Sequence, residues 1–166
     1  EKLHAARVAI NGSVPWSRTR PDGFELKWLL ALATGSHRGV APFLIEDVTP
    51  RTERIPREFH HHNKITGIEK VTVAVGECSS IEKWYGAILG VSGQKITDAS
   101  LGAEGLRYRA GPHTLDFLTP RDPGSPLVRW LREYGSSPYS AILSTGTRSL
   151  APLDPRLTHG ANVWIN

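Results

Sequence analysis

The residues best suited to act on a small molecule lie in one alternating stretch, residues 70–75. In an extended strand successive side chains point to opposite faces, so three valines share one face and Lys70, Thr72 and Ala74 share the other. A lysine ammonium at the mouth of an apolar cleft can hold the negative charge of a carboxylate or an enolate. Lys70 and Thr72 are therefore candidate ligand-binding residues.

Asp116 is a candidate partner of Lys70. It alternates with Leu115 and Phe117 in a second apolar stretch, so its carboxylate can face the same cleft. Two interpretations remain open for the lysine. Lys70 either serves a ligand, or it extends along the surface and forms a structural ion pair with Glu69 or with a carboxylate on a neighbouring strand.

The chain also contains three consecutive histidines, His60 to His62, and a single cysteine, Cys78. Adjacent residues of an extended segment point in opposite directions, so this histidine run cannot by itself surround a tetrahedral metal ion. Cys78 precedes a candidate helix, whose dipole can favour a thiolate, but no histidine lies near it in sequence to act as a base. An unreactive thiol is the favoured interpretation.

The valine face of the first strand needs a helix to cover it. The next segment predicts one, because its apolar residues recur at helical spacing and form a single stripe: Ile81, Trp84, Tyr85, Ile88 and Leu89. Ser79 and Glu82 have the spacing of a capping box, and Gly90 can take the left-handed conformation at the end of the helix. We therefore expect the helix on the valine face and Lys70 on the open face.

The remaining segments alternate between turns and short periodic runs. Ahead of Lys70 we expect a helix at residues 3–10, a short strand between residues 12 and 23, and strands at 25–33 and 40–48. After it we expect strands at 94–99, 106–110 and 113–119, a helix after Ser125, and strands at 139–144 and 161–165. Periodicity alone supports an α+β fold.

Composition limits the function classes. With 39% hydrophobic and 22% charged residues, the 166-residue chain can form one domain with a sizeable core. Its 20 basic and 16 acidic residues give a net charge of +4 that is scattered along the chain, so we expect no nucleic-acid partner. No apolar run is long enough to span a bilayer, and one cysteine fits a reducing compartment, so we expect a cytoplasmic protein without a membrane partner.

Residues 67–90, GIEKVTVAVGECSSIEKWYGAILG, resemble the strand and helix that open a module of the vicinal oxygen chelate superfamily, also called the glyoxalase, bleomycin-resistance and dioxygenase fold. RPDGFELKW at 20–28, PFLIED at 42–47 and HHNKITGI at 61–68 are similar, more particularly, to the glyoxalase-like domain proteins. The resemblance implies VOC-like paired βαβββ modules whose curved mixed sheets enclose a cleft. It places a first module lacking its first strand at 1–50, a connector at 51–64 and a second module at 65–166.

Metal-dependent members of this superfamily hold the ion with a histidine near the start of each module's first strand and a carboxylate near the end of its last strand. Here Lys70 stands at the first of these positions, and residues 161–165, taken as the closing strand, contain no carboxylate. We therefore expect no cofactor. A divalent cation held by Glu46 or Asp47, near the end of the first module's last strand, is the less favoured alternative.

The resemblance implies a small-molecule ligand and leaves two functions open. One is a lyase-type or isomerase-type enzyme that acts on a small carbonyl or oxyanion substrate; the other is a non-catalytic module that binds or sequesters a ligand, or a truncated inactive paralogue. His61 stands where the glyoxalase-like relatives carry a histidine just ahead of an asparagine, so it joins Lys70, Thr72, Glu46 and Asp116 as a candidate at the cleft, with a solvated loop histidine as the alternative. Because a missing first strand leaves a sheet edge open, we expect a homodimer or pairing with a preceding N-terminal segment.

Overall fold

The computed structural model describes residues 2–55, 60–146 and 149–166. Within these ranges the chain forms a three-stranded and a seven-stranded sheet with short helices between and beside them. None of the helices in the described ranges combines the length and the apolar character needed to cross a membrane.

The three-stranded sheet is built from the first third of the chain and is antiparallel, in the order β1, β2, β3. Its elements and those joined to it are α1 Lys2–Ala5, β1 Val14–Thr19, β2 Glu25–Ala31, a 3-10 turn at Gly35–His37, β3 Leu44–Asp47 and α2 Arg51–Arg54. Asp22 and Gly23 make the β1–β2 turn, in which the Asp22 carboxylate accepts a hydrogen bond from the backbone N–H of Phe24 at 3.1 Å.

Two predicted elements of this part are shorter than expected. The helix predicted at residues 3–10 ends at Ala5, because Arg7 adopts a left-handed φ of 53° and Ile10 forms a bridge with Ala33. The strand predicted at 40–48 begins only at Leu44, because the backbone N–H of Ala41 instead donates to the His37 carbonyl at 2.9 Å. The predicted connector at 51–64 contains α2, and its residues 56–59 lie outside the described ranges.

The seven-stranded sheet has the order β5, β6, β7, β4, β8, β10, β9. Its elements are β4 Gly67–Ala74, α3 Ser79–Leu89, β5 Gln94–Asp98, β6 Ala103–Ala110, β7 His113–Pro120, α4 Pro126–Tyr134, β8 Ser137–Ser144, β9 Ala151–Pro152 and β10 Asn162–Ile165. The part from β4 to β7 is one complete βαβββ module, since β4 pairs in parallel with β7. The fold is therefore α+β with βαβββ organisation, as predicted.

Residues 161–165 do not close this module, contrary to expectation. β10 pairs with β8 and β9, whereas β7 lies directly beside β4 after the hairpin at Gly111, whose φ is +61°. The closing strand is therefore β7, and it does carry a carboxylate, Asp116, in register with Thr72 of β4.

The core confirms the two-sided use of β4. The predicted valine face packs against α3, and the cluster includes Val73, Val75, Trp84 and Tyr85, with Trp84 only 1% exposed. α1 and the 3-10 turn pack against α3 as well, and the Tyr85 hydroxyl donates to the Val40 carbonyl at 3.2 Å. α3 thus links the two sheets through one apolar core.

Three of the four predicted helix-end residues or motifs are confirmed by the structure. Gly90 ends α3 with a left-handed φ of 71°, Gly135 follows α4, and Ser125 caps α4 by accepting a hydrogen bond from the Leu127 N–H at 3.2 Å. The predicted capping box of α3 does not form. Ser79 lies inside the helix, and its N–H and hydroxyl both donate to the Glu77 carboxylate.

The outer edge of β3 is the position at which the two modules differ. In the second module β4 fills the place beside the last strand, whereas in the described part of the chain β3 pairs with β2 alone. Within the described residues the three-stranded sheet therefore has an open edge at β3. That the first module lacks its first strand remains a prediction. Pairing of this edge with another segment or a second copy stays a prediction.

We predict that Gly105→Ala strongly destabilises the fold. A Cβ at this position of β6 would lie 1.8 Å from the Phe117 carbonyl oxygen of the neighbouring strand, so the backbone would have to move. We expect the free energy of unfolding in urea to fall by about 2–3 kcal/mol. Gly124→Ala is the control, since a Cβ there meets no atom within 4 Å. Equal stability of the two variants would contradict the close strand approach.

Candidate functional site

A cavity of about 290 Å³ opens on the face of the seven-stranded sheet that α3 does not cover. We call it the Lys70 cavity. Polar side chains from four strands line it: Lys70, Thr72, Asp98, Ser140 and Asn162. Apolar side chains form its walls: Leu101, Tyr139, Ile142, Leu150 and Trp164. The strand alternation therefore places Lys70 and Thr72 in a cavity, as the open face of β4 requires.

A buried carboxylate lies beside this cavity. Asp116 is 1% exposed, and Arg107 of β6 holds it with two hydrogen bonds, Nε to Oδ1 at 2.6 Å and Nη2 to Oδ2 at 2.7 Å. The hydrogen bonds to Asp116 raise the pKa of Arg107. The Lys70 Nζ lies farther away, 3.7 Å from Oδ2, and its side chain is 27% exposed. Asp116 thus has its main partner in Arg107, which leaves the Lys70 ammonium accessible from the cavity.

Asp98 adds a carboxylate to the same cavity. Burial opposes its ionisation, but hydrogen bonds from the Ser100 hydroxyl at 2.6 Å and the Leu101 N–H at 3.0 Å, together with the charge of Lys70, lower the pKa of Asp98 below its ordinary value. The cavity therefore holds a cation on β4 and an ionised carboxylate at the end of β5.

The structure does not bring all predicted site residues together. Glu46 lies in a different cavity of about 480 Å³, on the side of the three-stranded sheet that faces α1 and Ile88 of α3. His61 is exposed ahead of β4, where its carbonyl accepts a hydrogen bond from the Lys64 N–H at 2.9 Å. Of the five predicted residues, Lys70 and Thr72 line one cavity and Asp116 lies next to it.

The residues at the superfamily's metal position do not fit a divalent cation. Both oxygens of Asp116 accept hydrogen bonds from Arg107, and the Lys70 ammonium occupies the position of the first-strand ligand. In the first module Arg54 holds both oxygens of Asp47, at 2.7 and 2.9 Å, and this pairing lowers the pKa of Asp47. The described residues contain no group of three or more histidine, cysteine or acidic side chains that could hold an ion.

Sequence reasoning missed Arg107, Asp98, Ser140 and Asn162. Arg107 faces Asp116 because β6 and β7 pair with Arg107 opposite Asp116, and this register depends on the hairpin at Gly111. Ser140 and Asn162 face each other because β8 and β10 are parallel neighbours. Asp98 carried a local signal, since the sequence Asp98-Ala-Ser100 favours an aspartate that accepts hydrogen bonds from the following turn.

Cys78 lies in a separate cavity of about 610 Å³ with Lys95, Glu104 and Thr119. Its Sγ is 3.6 Å from the Thr119 hydroxyl and 3.8 Å from the Phe117 carbonyl oxygen. Burial raises the pKa of the Cys78 thiol. The neutral thiol is thereby favoured, which agrees with an unreactive cysteine.

We predict that Arg107→Met destabilises the protein by about 2–4 kcal/mol, because the buried Asp116 carboxylate loses its main partner. Urea denaturation measures the change. The double variant Arg107→Met with Asp116→Leu should recover most of the loss, since it removes both charges. Arg109→Met, an exposed position two residues along β6, is the matched control. Additive effects of the two changes would contradict the pairing.

We also predict slow alkylation of Cys78. Because its pKa is raised, the folded protein at pH 8 holds less thiolate than the unfolded chain, and the rate should keep rising above the ordinary thiol pKa. Iodoacetamide labelling followed by mass spectrometry should be about tenfold slower in the native protein than in urea at pH 8. A native rate equal to or above that of the unfolded chain would point to an activated thiolate.

The sequence matches a protein family model described as a glyoxalase-like domain, over residues 1–89. A search of curated proteins found no match.

Solved structures show the same fold. A hypothetical protein from Staphylococcus aureus matches with a TM-score of 0.65 and 16% identity, over 99% of this chain and 59% of that chain, so the present chain spans about three fifths of its length. Methylmalonyl-CoA epimerase from Mycobacterium tuberculosis matches with a TM-score of 0.52 and 14% identity, over 66% of this chain and 92% of that one. A variant of the Streptomyces coelicolor methylmalonyl-CoA epimerase, in complex with 2-nitronate-propionyl-CoA, matches with a TM-score of 0.51 and 15% identity, over 61% and 96%.

At these identities the structural likeness concerns the fold and not the reaction. The βαβββ module and its arrangement agree with that fold. The family match covers more than half of the residues. The chain therefore belongs to the glyoxalase-like domain family.

Proposed function

We propose that the protein binds a small carboxylate or other oxyanion in the Lys70 cavity. The supporting observation is that Arg107 and Lys70 contact the Asp116 carboxylate unequally. Arg107 contacts both of its oxygens, at 2.6 and 2.7 Å, whereas the Lys70 Nζ remains 3.7 Å away and partly exposed. Because Arg107 already compensates the buried charge, the ammonium of Lys70 has donors left for a ligand.

The cavity supplies the other elements of such a site. Thr72 and Ser140 carry hydroxyl groups beside Lys70, and Trp164 and Ile142 provide apolar surface. Asn162 is held in place, since its side-chain amide donates to the Tyr139 carbonyl at 3.1 Å. A volume of about 290 Å³ lies at the lower end of the range for small-molecule sites and fits an acid of a few carbon atoms.

A second candidate function is an isomerase-type enzyme acting on the same class of ligand. It is favoured by Asp98, an ionised carboxylate in the cavity that holds Lys70. In this mechanism Asp98 takes a proton from the carbon next to a carbonyl group, and the resulting negative charge on the carbonyl oxygen is stabilised by the Lys70 ammonium. The enolate then turns its opposite face toward Asp98, and return of the proton from Asp98 to the same carbon gives the epimer. The lowered pKa of Asp98 makes it a weak base, so we place binding first.

We predict that Lys70→Gln weakens binding of pyruvate by about tenfold, because it removes the positive charge from the cavity. Binding is followed by the shift of the Trp164 indole N–H resonance in ¹⁵N-labelled protein. Lys83→Gln, on the exposed face of α3, should bind as the unchanged protein does. Equal affinity of the Lys70 and Lys83 variants would refute the proposed role of Lys70.

The same samples separate the two candidate functions. Transfer of pyruvate to D₂O with the protein present tests for exchange of its methyl protons, which needs a base next to the bound ligand. Exchange that disappears in Asp98→Asn, while the Trp164 resonance still shifts, supports the enzyme. Binding without exchange above the buffer rate supports the non-catalytic module.

A further inference from the structure

The three-stranded sheet has a second exposed surface, on the face that does not contact α1 and α3. Trp16 of β1 and Trp28 of β2 are direct cross-strand partners, and Leu30 follows Trp28 on the same face. Together with Phe43 and Arg18 they line a cavity of about 470 Å³, which we call the aromatic face. It shares no lining residue with the Lys70 cavity.

The aromatic face is unusually open for its composition. Trp16 is 51% exposed and Phe43 is 55% exposed, although both are large apolar side chains. Contiguous exposed aromatic surface of this kind marks interaction sites more often than single exposed residues do. Indoles at opposite positions of β1 and β2 each offer a flat ring face against which a planar ring can stack.

The two arginines that line the aromatic face, Arg54 and Arg18, differ in whether a carboxylate neutralises them. Arg54 and Asp47 neutralise one another through two hydrogen bonds at 2.7 and 2.9 Å. Arg18 lies two residues after Trp16 on the same face of β1, and its side chain forms no ion pair or hydrogen bond with any of the described residues. The guanidinium of Arg18 thus lies next to the indoles of the aromatic face without a compensating carboxylate among the described residues.

We propose that the aromatic face binds a planar aromatic molecule that carries an anionic oxygen group. The ring stacks against Trp16 and Trp28, and the anionic group accepts two hydrogen bonds from the guanidinium of Arg18. Arginine suits this role because its planar fork matches carboxylate and phosphate oxygens alike. A cavity of about 470 Å³ accommodates a ligand of two fused rings. This inference is independent of the function proposed for the Lys70 cavity.

Three related probes test the chemistry: 2-naphthoate, 2-naphthyl phosphate and the neutral 2-naphthamide. Each is titrated into ¹⁵N-labelled protein while the indole N–H resonances of Trp16 and Trp28 are followed. We expect both resonances to shift when an anionic probe binds. We expect 2-naphthamide to bind with about tenfold lower affinity. Tighter binding of the naphthoate identifies a carboxylate ligand, and tighter binding of the phosphate identifies a phosphate ligand.

Two variants test the contacts. Arg18→Gln should lower the affinity for the anionic probes about tenfold and leave the affinity for 2-naphthamide unchanged, since it removes only the charge. Arg109→Gln, an exposed arginine of the other sheet, is the matched control and should change nothing. Trp16→Leu should lower the affinity for all three probes, and the Trp28 indole resonance then reports binding. Arg18 and Trp16 are both exposed, so we expect these variants to fold.

Four results would overturn the proposal. Two of them concern affinity: the anionic probes and 2-naphthamide bind equally well, or the Arg18 and Arg109 variants change the affinity equally. The other two concern the reporters: the only resonance that shifts is that of Trp164, or neither Trp16 nor Trp28 shifts at probe concentrations up to about 5 mM. A short oligothymidylate that shifts these indoles when the naphthalene probes do not would assign the surface to a single nucleic-acid strand instead.

Discussion

Burial of the Asp116 carboxylate is the constraint on which the second module depends. A carboxylate removed from water is strongly unfavourable unless cations and hydrogen bonds compensate it. The two compensating cations come from the strands on either side of β7, Arg107 from β6 and Lys70 from β4. The ion cluster therefore favours one register of three neighbouring strands, because a shift of one residue would turn these side chains to the opposite face.

The two faces of β4 have different roles because successive side chains alternate between them. Its valines meet α3 and form the apolar core, while Lys70 and Thr72 remain on the face that opens to the Lys70 cavity. α4 covers only one end of that open face, where Ala74 packs with Leu118 and Leu127. Farther along this face, the buried Thr72 and the partly exposed Lys70 line the Lys70 cavity, so one strand contributes both to stability and to the candidate site.

Much of this was predictable from local sequence patterns. The valine alternation, the stripe of α3, Gly90 and the Ser125 cap all depend on residues a few positions apart, and each was placed correctly. The failures that concern the candidate site have one cause, which is pairing between distant segments. Nothing near residues 161–165 shows that β10 pairs with β8 and not with β4, and nothing near Arg107 shows that it meets Asp116. The capping box failed for another reason, because Glu77 competes for Ser79.

α3 is shared by both sheets, and this arrangement makes their stabilities interdependent. Trp84 and Tyr85 belong to a cluster that also contains Leu3, Val8 and Val40 from the first third of the chain. Separating the sheets would expose these aromatic rings to water and break the hydrogen bond between Tyr85 and Val40. Unfolding of either part would therefore remove apolar packing that stabilises the other.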